Sequence, residues 1–211
     1  MTVAQDMLLE LARLGSATVY EAGGRGQFID ADLHQIVPGS RVAGPARTVL
    51  CGQDDNLTVH AVMASVQRGE IIVLTMPEPR PIALVGDLLA TQALTQGAAG
   101  MLIDAAVRDV EELRELGLPI WARWIRVHGA GKDVAGTIGE PVNLSGSTIS
   151  TGDVLVMDAD GVAVIEPARA EEVLAASLER ESREADKREK LRAGGLSYDI
   201  DGLRARVEGH S

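Results

Sequence analysis

Aromatic residues and cysteines are scarce in this sequence, and each scarcity excludes a class of protein. Aromatic side chains make up only 2% of the 211 residues, so platforms for stacking nucleic-acid bases are nearly missing. The single cysteine, Cys51, excludes an intrachain disulfide and fits a reducing compartment. Apolar residues still make up 45%, so we expect a core built from Ala, Val, Leu and Ile.

The sequence also has few basic residues and no long apolar run. The chain has 31 acidic against 20 basic residues, a net charge of -11 that repels phosphate backbones and anionic lipid. No apolar run reaches the length of a membrane span, and Asp6, Glu10 and Arg13 interrupt the N-terminal apolar pattern where a signal peptide would lie. We therefore predict a cytoplasmic protein with no nucleic-acid or membrane partner.

Helical and strand patterns alternate along the first part of the chain. The spacing of Met7, Leu8 and Leu11 predicts an opening amphipathic helix, and Thr18 with Glu21 has the spacing of a capping box for a second, short helix. Residues 42–49 are typical of a strand, in which Pro45 favours an edge or a bulge. A helix capped by Asp55 or Asn56 is predicted to run to about Arg68, and "EIIVLTM" is typical of a buried strand.

The segment from 82 to 125 is the most informative. It predicts a strand at 82–85, a helix of about ten residues from Asp87, a strand at 101–103, a helix at 110–116 and a strand in "PIWARW". Beyond it, residues 142–165 are β-rich. A last helix is predicted from near Ala168 to about Arg192; its second half is polar nearly all round, which indicates solvation or contact with a neighbouring molecule. We expect two parts, a core at 1–167 and a C-terminal helix and tail at 168–211.

Two carboxylates and a guanidinium fall where an α/β protein binds ligands. Asp87 follows Gly86 at a helix start, where the amides of Leu88 and Leu89 lack intrahelical acceptors and suit a small carboxylate. Arg108 and Asp109 follow the paired strand, at the edge where ligands bind in such folds. A simple helix cap at Asp87 and a surface pair at Arg108–Asp109 fit these residues equally well. Asp104, just upstream, is compatible with supporting this site or with capping a turn.

The spacing Asp87-x20-Arg108-Asp109 resembles the signature of the class II pyruvate aldolases of the RraA-like family. Four flanking segments in the same order strengthen the resemblance: "GDLLATQALTQGAAGMLIDAAVRD" around the signature itself, then "ATVYEAGGRG", "DNLTVHAVMASVQRGEIIVL" and "GDVLVMDADGVAVIEP". The resemblance covers roughly residues 10 to 205. Ala105, where the family usually has glycine, Ala106 and the tryptophans of "WARW" depart from the commonest pattern. These departures bear on substrate identity rather than on fold.

The resemblance implies an RraA-like α/β/β/α sandwich of the swivelling-domain type, with a C-terminal helical extension. It implies divalent-metal-dependent retro-aldol cleavage of a 4-hydroxy-2-oxo acid, of the 4-hydroxy-4-methyl-2-oxoglutarate or 4-carboxy-4-hydroxy-2-oxoadipate type, to release pyruvate. Oxaloacetate decarboxylation passes through the same enolate. The implied partners are a small 2-oxo acid substrate and further copies of the chain, in a homotrimer or homohexamer.

The resemblance also assigns roles to particular residues. Mg²⁺ or Mn²⁺ would lie beside Asp109, with Asp87 holding a metal-bound water, and Arg108 would face the keto oxygen of the substrate. The backbone at Gly86, Leu88 and Leu89 would hold the substrate carboxylate. A glutamate from the C-terminal helix of a neighbouring subunit would complete the metal shell through water; Glu184 is the candidate, with Glu181 and Glu189 as alternatives on the same helix.

Two other functions remain open on the sequence. RraA regulators, which bind and inhibit a ribonuclease without catalysis, share the fold and part of the signature. They typically end soon after the last β-segment, whereas this chain continues beyond Pro167 with a long helix, which favours the enzyme. A lyase for another 2-keto or sugar acid with the same metal site is the third possibility.

Overall fold

Helices lie at both ends of the chain and between the strands of its middle part. The computed structural model describes residues 3–209, so the outermost residues of the two predicted parts, 1–2 and 210–211, lie outside the described residues. The helices are α1 (Gln5–Leu14), α2 (Ser16–Ala22), α3 (Leu57–Val62), α4 (Asp87–Gln96), α5 (Val110–Leu116), α6 (Ala170–Arg192), α7 (Ser197–Ile200) and α8 (Leu203–Glu208), with a 3₁₀ turn at Pro167–Arg169 before α6.

The strands form one large mixed sheet and one small hairpin. In chain order they are β1 (Gln27–Phe28), β2 (His34–Gln35), β3 (Val42–Leu50), β4 (Ile71–Thr75), β5 (Ala83–Val85), β6 (Gly100–Val107), β7 (Ile120–Ile125), β8 (Thr137–Ile138), β9 (Val142–Leu144), β10 (Ser147–Ile149), β11 (Val154–Asp158) and β12 (Gly161–Ile165). The large sheet runs β1-β12-β11-β3-β4-β6-β7-β2, with β5 beside β6 and β8 beside β3. The hairpin consists of β9 and β10.

Strand β3 joins the two halves of the large sheet. Its first part, through Pro45, pairs antiparallel with β11, and its second part, from Ala46, pairs parallel with β4. At Pro45 the strand therefore has a partner on the β11 side and none yet on the β4 side, which is a local edge, as predicted. The proline sits in an interior strand at the point where the strand changes partners, and a residue that donates no backbone hydrogen bond is tolerated at such a break in the ladder.

Three buried clusters divide the molecule into layers. One fills the space between the parallel half of the sheet and α3, α4 and α5. The second lies between the two sheet halves and includes Trp121, Leu155 and Met157. The third packs α1, α2 and the start of α6 on the antiparallel half. Each fully buried Leu, Ile or Val contributes roughly 1.5–3 kcal/mol, so the aliphatic clusters replace the missing aromatic core. The mixed α/β architecture and the C-terminal helix are as predicted.

The short helix α2 begins earlier than its predicted capping box. Thr18 lies inside the helix, and no side chain of α2 caps its start. Instead, Asp158 at the end of β11 accepts hydrogen bonds from the backbone N–H of Ser16 (2.8 Å) and from its hydroxyl (2.6 Å). A carboxylate remote in sequence thus satisfies an N–H that a local cap would otherwise have to satisfy.

Three other element boundaries differ from the predicted ones. Helix α3 ends at Val62 rather than near Arg68, because the chain turns there and the Ser65 hydroxyl bonds the carbonyl of Val62. Strand β6 extends to Val107, because the small residues Ala105 and Ala106 continue the buried strand between β5 and β7. The last long helix begins at Ala170, and α7 and α8 follow it without having been predicted.

The long helix α6 contacts its own core only through its first half. Its buried residues are Ala170, Val173 and Ser177, and Arg13 of α1 forms an exposed ion pair with Glu181 at 2.6 Å. Beyond that point the helix is half-buried to exposed. Helices α7 and α8 contact each other, and Lys187 of α6 forms an ion pair with Asp201, just after α7, at 2.6 Å. A segment that crosses a bilayer needs length and apolar character together, and no helix within residues 3–209 has both.

Candidate active site

The candidate site lies where three parallel strands end side by side. The backbone N–H of Arg108 donates to the carbonyl of Val85 at 3.1 Å, and the N–H of Arg126 donates to the carbonyl of Val107 at 3.0 Å. These bonds join the ends of β5, β6 and β7. Residues that follow the strands are thereby brought to one edge, where ligands bind in parallel α/β sheets.

The start of α4 faces this edge. Gly86 is extended, and the helix begins at Asp87, whose backbone N–H donates to Oδ2 of Asp109 at 3.3 Å. The N–H of Ala90 donates to the carbonyl of Gly86. Among the hydrogen bonds of residues 3–209, none engages the N–H of Leu88 or Leu89. Two free amides and the positive end of a ten-residue helix are therefore available to a small anion.

Asp109 combines a position at the edge of the candidate site with a strained backbone. It lies in the left-handed region (φ 57°, ψ 47°) as the residue before α5, and its carbonyl accepts the N–H of Leu113 at 2.9 Å. Its Oδ2 is 3.5 Å from Nε of Arg108. A non-glycine residue in this conformation costs of order 1 kcal/mol or more, so the surroundings hold Asp109 where it points its carboxylate at the start of α4.

A cavity of about 190 Å³ opens beside these groups. Its lining includes Gly86, Asp87, Leu88, Leu89 and Arg108, so the structure brings these predicted residues to one cavity, with Asp109 bonded to Asp87 at its border. It does not bring Glu184 there: Glu184 pairs with Arg180 on α6 at 2.8 Å.

Three polar residues that line the cavity were not predicted from the sequence. His60 and Lys132 line it, and both side chains are exposed. Asn56 also lines it; its Nδ2 donates to the carbonyl of Leu84 at 3.0 Å, while its Oδ1 is buried without a partner among the described residues. The spacing of Asn56 and His60, one helical turn apart, was the only local signal for the pair.

The acidic residues present fit a hard divalent cation only in part. Residues 3–209 contain no group of three or more His, Cys, Asp and Glu side chains close enough to hold a metal. Asp87 and Asp109 supply two carboxylates at the edge. Mg²⁺ typically takes one or two carboxylates and keeps several waters. The donor set of one chain therefore fits such an ion, provided that water or another molecule supplies the remaining oxygens.

Asp104 is a buried partner of Arg123 rather than a turn cap. The side chain is 1% exposed, and its Oδ1 lies 2.5 Å from Nε of Arg123 on the neighbouring strand β7. Burial raises the pKa of the Asp104 carboxyl above its ordinary value, and the Arg123 charge opposes that shift only in part. Asp104 lies within the irregularity of the β6–β7 pairing between Ile103 and Ala106, so the pair links the two strands shortly before Arg108.

The departures at Ala105 and in "WARW" lie mostly inside the protein. Ala105 and Ala106 are buried in β6, and Trp121 is buried between the sheet halves, where its indole N–H donates to the carbonyl of Asp158 at 2.9 Å. Trp124 stacks beneath the Arg123 guanidinium. None of the four belongs to the lining of the 190 Å³ cavity.

A larger cavity, of about 510 Å³, lies on the other side of the molecule. Its lining includes Tyr20, Phe28, Asp30, Asp32 and Asp160. It contains no basic residue, and the buried Ser16 in its wall is already bonded to Asp158. Because it lacks a group to orient an anionic substrate, size alone does not make it the better candidate.

Comparison with known proteins agrees with the geometry. The profile of the RraA-like family, described as Aldolase/RraA, matches residues 16–164. A protein of Halalkalibacterium halodurans named "Putative 4-hydroxy-4-methyl-2-oxoglutarate aldolase" is 34% identical over 180 residues, which are 85% of this chain and 83% of that protein.

Two solved structures extend the comparison. An uncharacterized protein from Pseudomonas syringae pv. tomato has a TM-score of 0.84 and 25% identity, covering 93% of this chain and 92% of its own. Streptomyces coelicolor RraAS2, described as an unusual member of the RNase ES inhibitor RraA protein family, has a TM-score of 0.78 and 28% identity, covering 89% of this chain and 98% of its own. With a family profile that spans most of its length, the chain belongs to the RraA-like family.

Proposed function

We propose that this chain is a divalent-metal-dependent lyase that cleaves a 4-hydroxy-2-oxo acid and releases pyruvate. The observation that carries the proposal is that Asp87 and Arg108 line one cavity beside two free helix amides, while Asp109 accepts the backbone N–H of Asp87 at the border of that cavity. The name of the Halalkalibacterium halodurans relative supports the substrate type, 4-hydroxy-4-methyl-2-oxoglutarate; 4-carboxy-4-hydroxy-2-oxoadipate has the same reacting atoms.

Each residue of the site has a separate role in the proposed retro-aldol reaction. The amides of Leu88 and Leu89 bind the carboxylate next to the keto group. A water near Asp87 takes the proton of the C4 hydroxyl, C4 becomes a carbonyl carbon, and the C3–C4 bond breaks. Its electron pair passes into the pyruvate enolate, whose negative oxygen the Arg108 guanidinium stabilises. The proton taken from the C4 hydroxyl is then returned to C3, which gives pyruvate. Oxaloacetate decarboxylation leaves the same enolate, so Arg108 would serve both reactions.

Asp109 and Asp87 are the residues that would hold the metal, Asp109 directly and Asp87 through water. A bound Mg²⁺ or Mn²⁺ would supply Lewis-acid polarisation of the 2-keto group. The fixed backbone of Asp109, held in the left-handed region, keeps its carboxylate directed at the start of α4.

A neighbouring subunit is expected to complete this site. The rim carries apolar side chains open to solvent, Leu88, Ile125 and Val127, which a second copy of the chain would bury. The second half of α6 extends past its own core. We propose a homotrimer or homohexamer in which Glu184 of one chain supports the metal of the next through water.

The decisive experiment is pyruvate release from 4-hydroxy-4-methyl-2-oxoglutarate by metal-free protein. We expect no release with chelator and recovery on adding Mg²⁺ or Mn²⁺. Full activity without a divalent cation would reject the mechanism and point to a lysine Schiff base. Oxaloacetate and a panel of other 2-oxo and sugar acids, run in the same assay, identify the substrate class.

The second candidate function is a non-catalytic ribonuclease regulator. The likeness to Streptomyces coelicolor RraAS2 favours it, because that protein belongs to the RNase ES inhibitor RraA family. A regulator would release no pyruvate from any acid of the panel and would bind an RNase E-type enzyme in a sedimentation assay. Metal-dependent pyruvate release without such binding would exclude it.

A further inference from the structure

The loop at residues 128–136, named here the glycine loop, connects β7 to β8 across the candidate site. It contains Gly129, Gly131 and Gly136, and it passes the cavity at Ala130 and Lys132. We propose that the glycine loop sets the position of the Arg108 guanidinium, with Gly129 as the residue in contact and Asp55 as the anchor of the loop. Arg108 is the catalytic residue of the proposed function, on which this inference rests.

Hydrogen bonds do not fix the position of the Arg108 guanidinium. The side chain is 51% exposed, and its one charged partner among the described residues is Asp109, at 3.5 Å from Nε. No hydrogen bond from this guanidinium is present within residues 3–209. A long side chain without fixed acceptors loses considerable rotamer freedom when it is ordered. Its position must therefore come from the shape of the surroundings.

Two backbones without side chains form that shape. A Cβ atom on Gly129 would lie 2.8 Å from Nη1 of Arg108. Closer to the backbone of Arg108, a Cβ on Gly86 would lie 3.2 Å from Nε and 3.3 Å from Cγ of this side chain, and it would collide with Oδ2 of Asp109. The guanidinium thus occupies a slot between Gly86 and Gly129 that exists only because both lack a side chain.

Asp55 ties the glycine loop to the start of α3. It is buried, and its carboxylate accepts the backbone N–H groups of Asp133 (2.6 Å), Val134 (3.1 Å) and Leu57 (2.8 Å). Burial alone raises the pKa of this carboxyl, but the three N–H donors outweigh it and hold the pKa below its ordinary value. The charged form therefore serves as the anchor.

Further bonds fix both ends of the loop. The N–H of Gly131 donates to the carbonyl of Asp54, and the N–H of Gly136 donates to the Thr58 hydroxyl at 2.7 Å. The carbonyl of His128 accepts the N–H of Ala83 on β5 at 2.7 Å. Hydrogen bonds on both sides of Gly129 thus tie the loop to β5 and to the start of α3.

Gly129→Ala is the sharpest test, because the atom that the new methyl group meets is the far end of a flexible side chain. We expect the protein to keep its melting temperature while Arg108 moves aside. Asp55→Asn should loosen the loop and so also let Arg108 move, and it should lower the melting temperature. Gly26→Ala, with only ordinary contacts at its Cβ, is the control for the first variant. Asp153→Asn, a buried aspartate that accepts the N–H of Ser150, is the control for the second.

Each variant is measured in the wild-type and in the Arg108→Ala background. In the wild-type background we expect Gly129→Ala and Asp55→Asn to lower kcat/KM, and the Mg²⁺-dependent affinity for the enolate analogue oxalate, at least about tenfold. In the Arg108→Ala background the same changes should cost less than about twofold, since the group they position is gone. Equal losses in both backgrounds, or no loss from Gly129→Ala, would overturn the proposal.

A measurement that needs no catalysis separates this inference from the proposed function. In protein labelled with ¹⁵N-arginine, the Nε–H signal of Arg108 is assigned by its loss in Arg108→Lys. Gly129→Ala should shift that signal and lower its order parameter, and Gly26→Ala should leave it unchanged. An unchanged signal refutes positioning. If the wild-type protein releases no pyruvate but Gly129→Ala still shifts the Arg108 signal, the proposed function is refuted and the positioning of Arg108 by Gly129 is supported.

Discussion

The backbone N–H of Asp87 donates a hydrogen bond to the carboxylate of Asp109 at 3.3 Å, across 22 positions of the chain. This bond joins the start of α4 to the residue that precedes α5, so two carboxylates that belong to different strand–helix units reach the same cavity edge. Because the donor is a backbone group, the contact persists whatever side chain stands at 87. The contributions of the Asp87 and Asp109 side chains can therefore be tested separately by mutation.

Asp109→Asn should abolish metal-dependent pyruvate release while leaving the fold nearly unchanged. Asparagine tolerates the left-handed backbone found here (φ 57°) better than most residues and keeps an oxygen for the N–H of Asp87, but it lacks the charge that a divalent cation requires. Asp109→Ala should lose activity equally and also unfold more easily, by about 1 kcal/mol. Activity assays and chemical denaturation measure the two effects; an active Asp109→Asn would exclude Asp109 as the metal ligand.

Arg108→Ala should lower kcat by about 10²–10³, the scale observed when one donor to a developing oxyanion is removed. Arg108→Lys should not restore the rate fully, because an ammonium cannot fill the slot between Gly86 and Gly129 as a planar fork does. Steady-state kinetics with saturating Mg²⁺ measure kcat for both variants. An intact kcat in Arg108→Ala would reduce Arg108 to a surface residue.

Lys132→Met should raise KM for substrates that carry a second carboxylate, by about tenfold, with a smaller change in kcat. Lys132 is exposed and lines the same cavity as Leu88 and Leu89, whose amides are proposed to bind the first carboxylate. Lys190→Met, on the exposed end of α6, is the matched control and should have no effect. A 4-hydroxy-2-oxo acid without the second carboxylate should react with both variants as with the wild type. Equal KM increases for both kinds of substrate would contradict this role.

Asp109→Asn and Glu184→Ala should complement each other when the two inactive proteins are unfolded and refolded together. If Glu184 acts across a subunit interface, random mixing at equal amounts gives up to about a quarter of the sites both wild-type groups. The pairing of Glu184 with Arg180 inside its own helix is compatible with this role, since an exposed ion pair is easily exchanged. No recovery despite proven subunit exchange would mean that Glu184 acts within its own chain or not at all. Glu181→Ala and Glu189→Ala, mixed in the same way, test the alternatives.

Cys51 should resist alkylation in the folded protein and react fully once the protein is unfolded. The thiol is buried, and burial, aided by the nearby charge of Asp55, raises its pKa to about 12. At pH 8 only about one thiol in 10⁴ is then ionised, and the thiolate is the reactive form. Mass spectrometry after iodoacetamide treatment, with and without denaturant, gives the answer. Rapid labelling of the native protein would show that the parallel half of the sheet opens locally.

Some of the site was predictable because its signals are local. The helices at Asp87–Gln96 and Val110–Leu116 end at the glycines Gly97 and Gly117, and the buried strand Ile71–Thr75 follows from its continuous run of apolar residues. Asp87, Arg108 and Asp109 stood out because they follow strands of a repeated strand–helix unit. The residues on the glycine loop had no such signal, since a loop without periodicity shows nothing of what it packs against.

The sequence by itself determined the alternation of elements, the aliphatic core and the position of the acidic and basic residues at the ends of strands, because these depend on neighbours a few positions apart. Only the tertiary structure decided which distant groups meet. Asp158 replaces the predicted cap of α2, Pro45 lies where β3 changes partners, and Asp55 anchors the loop that brings Gly129 against Arg108. The reason is physical: a buried N–H or carboxylate takes whichever partner the folded chain brings within about 3 Å, and that partner is not fixed by sequence spacing.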